Sequence, residues 1–189
     1  MIAQKIRFCD IFISLIMLLI FSPVIIIISF ILLIFDGKPI IYKQPRIGYE
    51  GKKFNIFKFR TMSQATYKVE ELRLTFFGKL LRKLSLDELP QLINVLNKDM
   101  SLVGPRPLPE EIEKKIKDSS RVKRRKILPG ITGMSQINYT GKYRTLDEKI
   151  ELDLQFIENY NLYNYFQILF RTPIVMIIRF YKNKSSIIK

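Results

Sequence analysis

The sequence predicts a mixed α/β, mostly helical small globular domain that follows an apolar N-terminal helix. Residues 11–35 contain no charged side chain, which is typical of a helix buried in lipid or protein. Residues 40–62 alternate apolar and basic side chains, which predicts strands. Later segments repeat apolar residues at helical spacing. At 189 residues the chain is long enough for one domain and a short appendage, which we divide at residue 37 into 1–37 and 38–189.

Charge is distributed unevenly between these two parts. The net charge is +15, yet the first 37 residues contain two basic and two acidic residues, so the whole excess lies in the remainder. A basic globule beside a neutral apolar segment suits anionic lipid headgroups, diphosphates or nucleic acid. The chain has no histidine, which excludes histidine acid–base chemistry and histidine metal ligation. Its single cysteine, Cys9, excludes an internal disulfide.

The apolar segment is long enough to cross a bilayer as a helix. Ser22 and Pro23 lie near its middle, where a proline removes a helix hydrogen bond and favours a bend. Basic residues flank both ends, with Lys5 and Arg7 on the N-terminal side, so the positive-inside rule gives no orientation. These features are equally compatible with a spanning helix and with a broken, re-entrant helix.

The segment 40–62 predicts a β-hairpin that turns at residues 48–51. Lys53, Lys58 and Arg60 belong to its basic face, which either contacts solvent or binds a ligand. A helix is expected over residues 72–84, directly after a short connection.

Two adjacent carboxylates, Asp87 and Glu88, precede the apolar run 89–96, whose spacing matches one face of a helix. We predict Asp87 as the N-cap, because Pro90 then falls in the first turn, where its missing N–H costs little. A capping box formed by Ser85 and Glu88 is the alternative. If Asp87 is the N-cap, both carboxylates lie at the positive end of a helix. Their presence is then explained either by simple helix capping or by a chemical role.

Rigid turns follow the acid pair. The run Gly104-Pro105-Arg106-Pro107 holds Arg106 outward, which suits a clamp for a diphosphate or, alternatively, a salt-bridged surface turn. The basic run 121–126 is expected to be a solvated face or a nonspecific anionic contact, or alternatively to border the headgroup plane or the nucleotide, without a catalytic role. The glycine-containing loop 129–133 would allow close backbone approach to a ligand.

Residues 147–170 show helical spacing with many aromatic side chains, which predicts an amphipathic helix lying either on a membrane interface or against the core. A last apolar stretch begins at Pro173 and is too short to span a membrane.

The motifs SLDELPQ, NVL, DMSLVGPRP and PGITG occur in this order and resemble the bacterial sugar transferases, the small monotopic polyprenol-phosphate phosphoglycosyl transferases. The resemblance extends from the apolar segment to about residue 170. It implies a monotopic protein whose N-terminal helix is re-entrant and kinked at Ser22 and Pro23, with Lys5 and Arg7 at the lipid headgroups. The segment KFRTM is close to a family signature and makes Arg60 a candidate contact for substrate phosphate.

The resemblance also implies the chemistry. Asp87 would be the nucleophile and Glu88 would hold Mg²⁺, while substrate contacts are expected from six residues: Arg60, Arg82, Arg106, Gly130, Thr132 and Gln136. The implied reaction moves a sugar-1-phosphate from a nucleotide diphosphate-sugar, such as a UDP-sugar, to undecaprenyl phosphate. It would proceed by a ping-pong mechanism through an aspartyl phosphosugar and start a surface glycan or glycoconjugate.

The implied location is the cytoplasmic face of the bacterial inner membrane, with membrane lipid as a partner, no nucleic acid, and a homodimer as an option. The chain departs from the family at Met134, where an aromatic residue is common, and at Tyr165, where Asp is common. The alternative function is a membrane-anchored binding protein or an inactive scaffold with a basic face. The intact pair of Asp87 and Glu88 favours the enzyme.

Overall fold

The computed structural model describes residues 2–63, 74–138 and 145–185, with side chains described to residue 181. Within these ranges, the α-helices are α1 Ile2–Phe35, α2 Phe76–Leu84, α3 Gln91–Leu96, α4 Glu110–Glu113, α5 Asp118–Arg124, α6 Met134–Ile137, α7 Leu146–Glu158 and α8 Leu162–Ser185. The strands are β1 Ile41–Ile47, β2 Lys53–Phe59, β3 Ser101–Val103 and β4 Gly130–Thr132. The mostly helical mixed α/β composition predicted from the sequence is confirmed.

Helix α1 is 34 residues long and continues through Pro23. Proline has no N–H to donate to the carbonyl four residues earlier, which belongs to Leu19. The neighbouring Ser22 hydroxyl donates to that carbonyl instead, at 2.8 Å. The Ser-Pro pair therefore supplies its own replacement hydrogen bond, which matters where water is scarce.

Both ends of α1 pack against the globular part of the chain. Near the N-terminus, Ile6 belongs to the main hydrophobic core, which also contains residues of α3, β3 and α8. Towards the C-terminus, Ile28 and Leu32 belong to a second core with Phe59 of β2. Leu89 packs against both cores. The two ends of α1 therefore contact the same globular body.

The predicted hairpin is confirmed, with β1 and β2 antiparallel and Ile41 opposite Phe59. Its turn contains Glu50 and Gly51, both with positive φ. The backbone N–H of Glu50 donates to the carbonyl of Arg125 at 2.9 Å, which ties the turn to the end of α5.

A second sheet was not predicted from the sequence. Strands β3 and β4 are parallel, with Ser101 opposite Gly130. A Cβ on Gly130 would lie 2.0 Å from the backbone nitrogen of Gly104, and one on Gly133 would lie 2.1 Å from the Gly104 carbonyl oxygen. The close approach that we expected between this loop and a ligand is made by another segment of backbone, so the glycines are required by packing.

The C-terminal region forms two helices where one was expected over residues 147–170. Helix α7 ends at Glu158 and α8 begins at Leu162. The Asn161 side chain accepts a hydrogen bond from the Asn164 N–H at 2.9 Å, a capping contact that starts a new helix. Helix α8 then continues through Pro173. Of the helix expected over 72–84, residues 76–84 form α2, and residues 72 and 73 lie outside the described ranges.

Large apolar side chains are exposed along α1, where Leu19 is 76% exposed and Phe30 is 61% exposed. Among the described residues, α1 is the one helix that is long and apolar enough to cross a membrane. Phe76 of α2 and Tyr163 of α8 are also exposed. Apolar surface of this extent marks contact with lipid rather than water, so the chain associates with a membrane.

Candidate active site

The acid pair lies in a short 3-10 turn, Leu86–Glu88, between α2 and α3. Ser85 has a left-handed conformation that ends α2, and the Glu88 N–H donates to its carbonyl at 3.4 Å. Helix α3 begins only at Gln91, with Pro90 at the N-cap. The prediction that Asp87 caps this helix was wrong, because the left-handed Ser85 bends the chain into a separate turn before the helix starts.

Asp87 is buried, with 8% of its surface exposed. Burial and then the negative charge of Glu88 raise the pKa of the Asp87 carboxyl, while Lys58 and Arg82 oppose this shift. Within residues 2–63, 74–138 and 145–185, its carboxylate accepts no hydrogen bond from another side chain. Apart from a hydrogen bond from its own backbone N–H, the Asp87 carboxylate has no hydrogen-bond partner among the described residues.

Glu88 is held by two cations. Its Oε1 accepts a hydrogen bond from Lys58 Nζ at 2.6 Å and lies 3.5 Å from Arg106 Nη2. Burial alone would raise the pKa of Glu88, but the positive charges of Arg106 and Lys58 outweigh it and lower the pKa. Glu88 is thus ionised, whereas the adjacent Asp87 carboxyl is harder to ionise because its pKa is raised.

Lys58 reaches the site because β2 is fixed by α3. The fully buried Asn94 accepts from the Phe57 N–H at 2.9 Å and donates to the Asn55 carbonyl at 2.8 Å. These contacts occupy the backbone of β2 next to Lys58. From the sequence, it was left open whether Lys58 contacts solvent or binds a ligand. Asn94 was missed because it lies in an apolar run.

Arg106 is supported by a residue from the basic run 121–126. Arg124 is buried and donates to the Arg106 carbonyl at 2.7 Å. It also forms an ion pair with the buried Asp153 of α7 at 3.1 Å. The expectation of a solvated face was wrong for Arg124, because its position on α5 turns it inward against α7. The Arg106 side chain itself remains about half exposed.

Glu88, Lys58 and Arg106 border a shallow cleft. Four polar side chains, Arg46, Lys58, Gln91 and Arg106, line it with Glu88, and the backbone of Gly130 forms part of its wall. Burial and the nearby charge of Arg106 lower the pKa of the Arg46 guanidinium. The cleft is therefore rich in positive charge and suited to an anionic ligand. Arg46 and Gln91 were not identified from the sequence; the alternation of β1 was the available signal for Arg46.

Arg60 does not face this cleft. Its guanidinium donates to the carbonyls of Asp36, Gly37 and Lys38, at 2.8 Å for Gly37 and 3.0 Å for Lys38. These three residues form the exit from α1. Arg60 therefore holds the junction between α1 and β1. Its contact with substrate phosphate stays a prediction.

Arg7 is likewise engaged within the protein. Its guanidinium donates to the carbonyls of Val95, Leu96 and Met100, with the shortest distance, 2.6 Å, to Val95. Because the Val95 and Leu96 carbonyls lie at the end of α3, the cation caps that helix. The expected headgroup contact of Arg7 is replaced by this cap, while Lys5 is exposed.

Arg82 lies beside Asp87, and its Nε donates to Thr61 Oγ1 at 2.9 Å. Thr132 Oγ1 shares a hydrogen bond with Thr172 of α8 at 2.8 Å. Gln136 Nε2 donates to the Ile131 carbonyl at 2.9 Å. The structure therefore brings Asp87, Glu88, Arg82, Arg106 and Gly130 together, whereas the side chains of Thr132 and Gln136 tie neighbouring elements.

Two departures from the family pattern lie in the core rather than in the cleft. Met134 packs, partly buried, against the main core, and Tyr165 is fully buried within it. The Tyr165 hydroxyl donates to Asp10 of α1 at 2.7 Å.

The acid pair fits Mg²⁺, which proteins often hold through one or two carboxylates together with substrate phosphates. In the described part of the chain no three His, Cys, Asp or Glu side chains are grouped as a metal site. Glu88 uses Oε1 for Lys58 and Arg106, and its Oε2 has no partner among the described residues. Glu88 Oε2 and Asp87 are the oxygens that would bind the cation.

The sequence model of the family described as bacterial sugar transferase matches residues 3–179. The chain is 35% identical over 198 residues to the exopolysaccharide production protein ExoY of Rhizobium meliloti, covering 92% of this chain and 86% of ExoY. It is 44% identical over 137 residues to the uncharacterized sugar transferase EpsL of Bacillus subtilis, covering 67% of this chain and 64% of EpsL. It is 36% identical over 178 residues to the UDP-glucose:undecaprenyl-phosphate glucose-1-phosphate transferase of Escherichia coli, covering 86% of this chain but 38% of that relative.

Proposed function

The chain belongs to the bacterial sugar transferase family, and from that premise we propose that it is a phosphoglycosyl transferase acting at a membrane surface. It transfers a sugar-1-phosphate from a nucleotide diphosphate-sugar, of the UDP-sugar class, to undecaprenyl phosphate. The observation that carries this proposal is the pairing of a buried Asp87, free of side-chain hydrogen bonds among the described residues, with a Glu88 held ionised by Lys58 and Arg106.

In the first step, an oxygen of the Asp87 carboxylate attacks the phosphorus that bears the sugar. A new bond forms between this oxygen and the phosphorus, and the bond from the phosphorus to the bridging oxygen breaks. The nucleoside monophosphate leaves with the electron pair of that bond. An aspartyl phosphosugar remains on the enzyme, a type of covalent intermediate known for carboxylate nucleophiles.

In the second step, a phosphate oxygen of undecaprenyl phosphate attacks the same phosphorus. The bond to the Asp87 oxygen breaks, and its electron pair restores the carboxylate. The product is an undecaprenyl diphosphate-sugar. No proton has to be moved by the enzyme if both phosphates react as anions, which agrees with the lack of histidine in the chain.

The cations of the cleft prepare the donor for attack by an anion. Arg106 lies at the rim, where its planar guanidinium suits a diphosphate. Lys58 keeps Glu88 ionised and oriented. Mg²⁺ bound to the acid pair and the diphosphate would supply further neutralisation of the anionic oxygens.

We further propose a monotopic arrangement on the cytoplasmic face of the inner membrane, with α1 entering and leaving the same leaflet. Supporting this, both ends of α1 contact one globular body through Ile6 and Leu32. The hydrogen bond from Ser22 to Leu19 makes a proline tolerable within lipid. The exposed Phe76 and Tyr163 lie on α2 and α8, which would rest at the interface.

The test is release of nucleoside monophosphate from a panel of UDP-sugars by purified protein, undecaprenyl phosphate and Mg²⁺. Repeated turnover that requires protein, undecaprenyl phosphate and Mg²⁺ and identifies one sugar supports the transferase. Without undecaprenyl phosphate, labelled UDP-sugar and Mg²⁺ should release one equivalent of nucleoside monophosphate and leave one labelled phosphosugar on Asp87, which peptide mass spectrometry would locate. Absence of release across the panel from folded protein would contradict the proposal and favour a binding protein or scaffold.

A further inference from the structure

We propose that Arg46 and Gln91 form a phosphate subsite that receives the leaving nucleoside monophosphate and then the incoming polyprenol phosphate. The inference rests on the proposed function, because it assigns a place in the cleft to two phosphates of that reaction. It concerns one residue on β1 and one at the start of α3. Gln91 closes the motif SLDELPQ, but neither residue was assigned to the site from the sequence.

The first observation is a pair of hydrogen-bond donors without acceptors. Gln91 is 2% exposed, and its Nε2 is buried with no hydrogen-bond partner in the described part of the chain. Nε of Arg46 is also buried without a hydrogen-bond partner among the described residues. The other two guanidinium nitrogens of Arg46 donate to the Gln44 side chain and to the Pro107 carbonyl. Other buried atoms, such as Arg7 Nε and Ser14 Oγ, also lack a partner among the described residues. The donors of Arg46 and Gln91 differ in that both residues line the same cleft, where a ligand with acceptor oxygens would satisfy them.

The second observation is the charge of the cleft. Arg46, Lys58 and Arg106 border it, and they face one carboxylate there, that of Glu88. Arg46 and Arg106 are close enough that their like charges disfavour each other. A ligand with two negative charges and several acceptor oxygens would neutralise this excess, and a phosphate monoester has both properties.

The third argument is the geometry of the two displacements at phosphorus. Each displacement has its entering and leaving oxygens roughly in line. In the first displacement Asp87 enters, so the nucleoside monophosphate leaves on the opposite side. In the second displacement Asp87 leaves, so the polyprenol phosphate enters from that same opposite side. One phosphate subsite in the cleft beside the acid pair therefore serves both steps in turn.

The experiment compares Arg46→Gln and Gln91→Glu with matched controls outside the cleft. Arg121→Gln removes an arginine that pairs with Asp118 on the surface, and Gln155→Glu makes the same change on the exposed face of α7. The Gln91→Glu change replaces a donor with an anion of almost equal shape. Gln91→Met, which removes the donor without adding charge, is the second variant if a buried carboxylate prevents folding.

Two constants are measured for each variant in the transfer assay: the KM for undecaprenyl phosphate and the inhibition constant of UMP. We expect both to rise together by at least about tenfold in Arg46→Gln and Gln91→Glu, the effect of losing a hydrogen bond to a charged group. The controls should match the wild type. A rise in only one constant would overturn the shared subsite, and unchanged constants would overturn the subsite altogether.

A binding measurement separates this inference from the proposed function. UMP and a short-chain prenyl phosphate should each raise the thermal unfolding midpoint of the wild type. The same ligands should raise the midpoint of Arg46→Gln or Gln91→Met by much less. If the wild type binds both phosphates yet transfers no sugar phosphate, the subsite stands and the proposed reaction fails. If transfer is active but neither phosphate shifts the midpoint differently between wild type and variants, the subsite fails and the reaction stands.

Discussion

Asp10 and Asp87 are both buried carboxylates, yet their surroundings differ. Asp10, 1% exposed, accepts three hydrogen bonds on Oδ1: from Ser101 Oγ at 2.9 Å, from the Leu102 N–H at 2.9 Å and from the Tyr165 hydroxyl at 2.7 Å. Among the described residues Asp87 accepts none from another side chain and lies beside a second carboxylate, Glu88.

This difference separates a structural carboxylate from a reactive one. The lone pairs of Asp10 are used by donors on β3 and α8, so it joins α1 to both elements. Because β3 leads directly into the turn that carries Arg106, the membrane helix is linked to the rim of the cleft. Among the described residues, Asp87 accepts only from its own backbone N–H, and the charges of Glu88, Lys58 and Arg82 act on it without a direct side-chain hydrogen bond. Burial alone therefore does not indicate which carboxylate reacts.

The largest expected effect comes from Asp87→Asn. We expect transfer to fall by at least about three orders of magnitude, because the amide is not a nucleophile and no covalent intermediate can form. Thermal stability should be unchanged or higher, since no hydrogen bond from another side chain is lost and a buried negative charge beside Glu88 is removed. Nucleoside monophosphate release measures the first quantity, and unfolding in the same detergent measures the second. Asp118→Asn on the surface is the control, and turnover retained in Asp87→Asn would remove Asp87 as nucleophile.

Asp10→Ala should show the opposite profile, with a large loss of stability. Three buried donors would lose their acceptor, and each unsatisfied group costs about 1–3 kcal/mol. We expect a loss of about 3 kcal/mol or more in the free energy of unfolding. Ser14→Ala, one turn later, is a matched control: the Ser14 hydroxyl is buried without a partner among the described residues, so its removal should cost nothing. Equal stability of the two variants would contradict a structural role for Asp10.

Arg106→Ala tests the role of the arginine that lies at the rim of the cleft beside Glu88. We expect the KM for the nucleotide-sugar to rise about tenfold, the effect of losing a charge-assisted contact worth about 1.5 kcal/mol, without loss of folding. The side chain is about half exposed, so its removal leaves little uncompensated burial. Steady-state kinetics and a melting curve provide the measurements. Unchanged kinetics would make Arg106 a surface residue of the turn.

The smallest expected effect belongs to Tyr165→Phe. It removes one of the three hydrogen bonds to Asp10 while keeping the aromatic ring in the core. We expect a loss of about 1 kcal/mol in the free energy of unfolding, and transfer close to wild type in the folded protein. Tyr163→Phe, on the exposed side of α8, should change neither quantity. A clear loss of transfer by Tyr165→Phe under conditions where the variant is fully folded would show that Tyr165 takes part in the reaction.

Local patterns in the sequence were sufficient for part of the fold. The apolar helix, the hairpin and the existence of α2 and α3 follow from hydrophobic periodicity and turn residues. The break between α7 and α8 was missed because Asn159 and Asn161 interrupt a spacing that otherwise stays helical. The sheet of β3 and β4 was missed because each strand has three residues and their pairing joins segments about 30 residues apart.

For the site, the sequence indicated the acid pair and Arg106 through motifs, but not their partners. Lys58 and Arg46 look like surface cations of a hairpin until α3 and the Arg106 turn pack against it. Conversely, Arg7 and Arg60 look available to lipid or phosphate, and their guanidinium groups are used by backbone carbonyls at the end of α3 and at the exit of α1. A long cationic side chain can reach several environments, so its role depends on which acceptors the fold brings near it.

By itself, the sequence determined an apolar helix with a Ser-Pro pair, a basic globule without histidine, and two adjacent carboxylates in a family motif. These are properties of neighbouring residues, which local spacing and composition reveal. Tertiary structure alone decided that Asp10 is a structural link, while Asp87 accepts no hydrogen bond from another side chain among the described residues. It also decided that, in the same part of the chain, Arg46 and Gln91 each carry an unpaired donor on one cleft. The physical reason is that hydrogen-bond satisfaction and burial depend on residues distant in the chain, such as Asp10 and Tyr165, which only packing brings into contact.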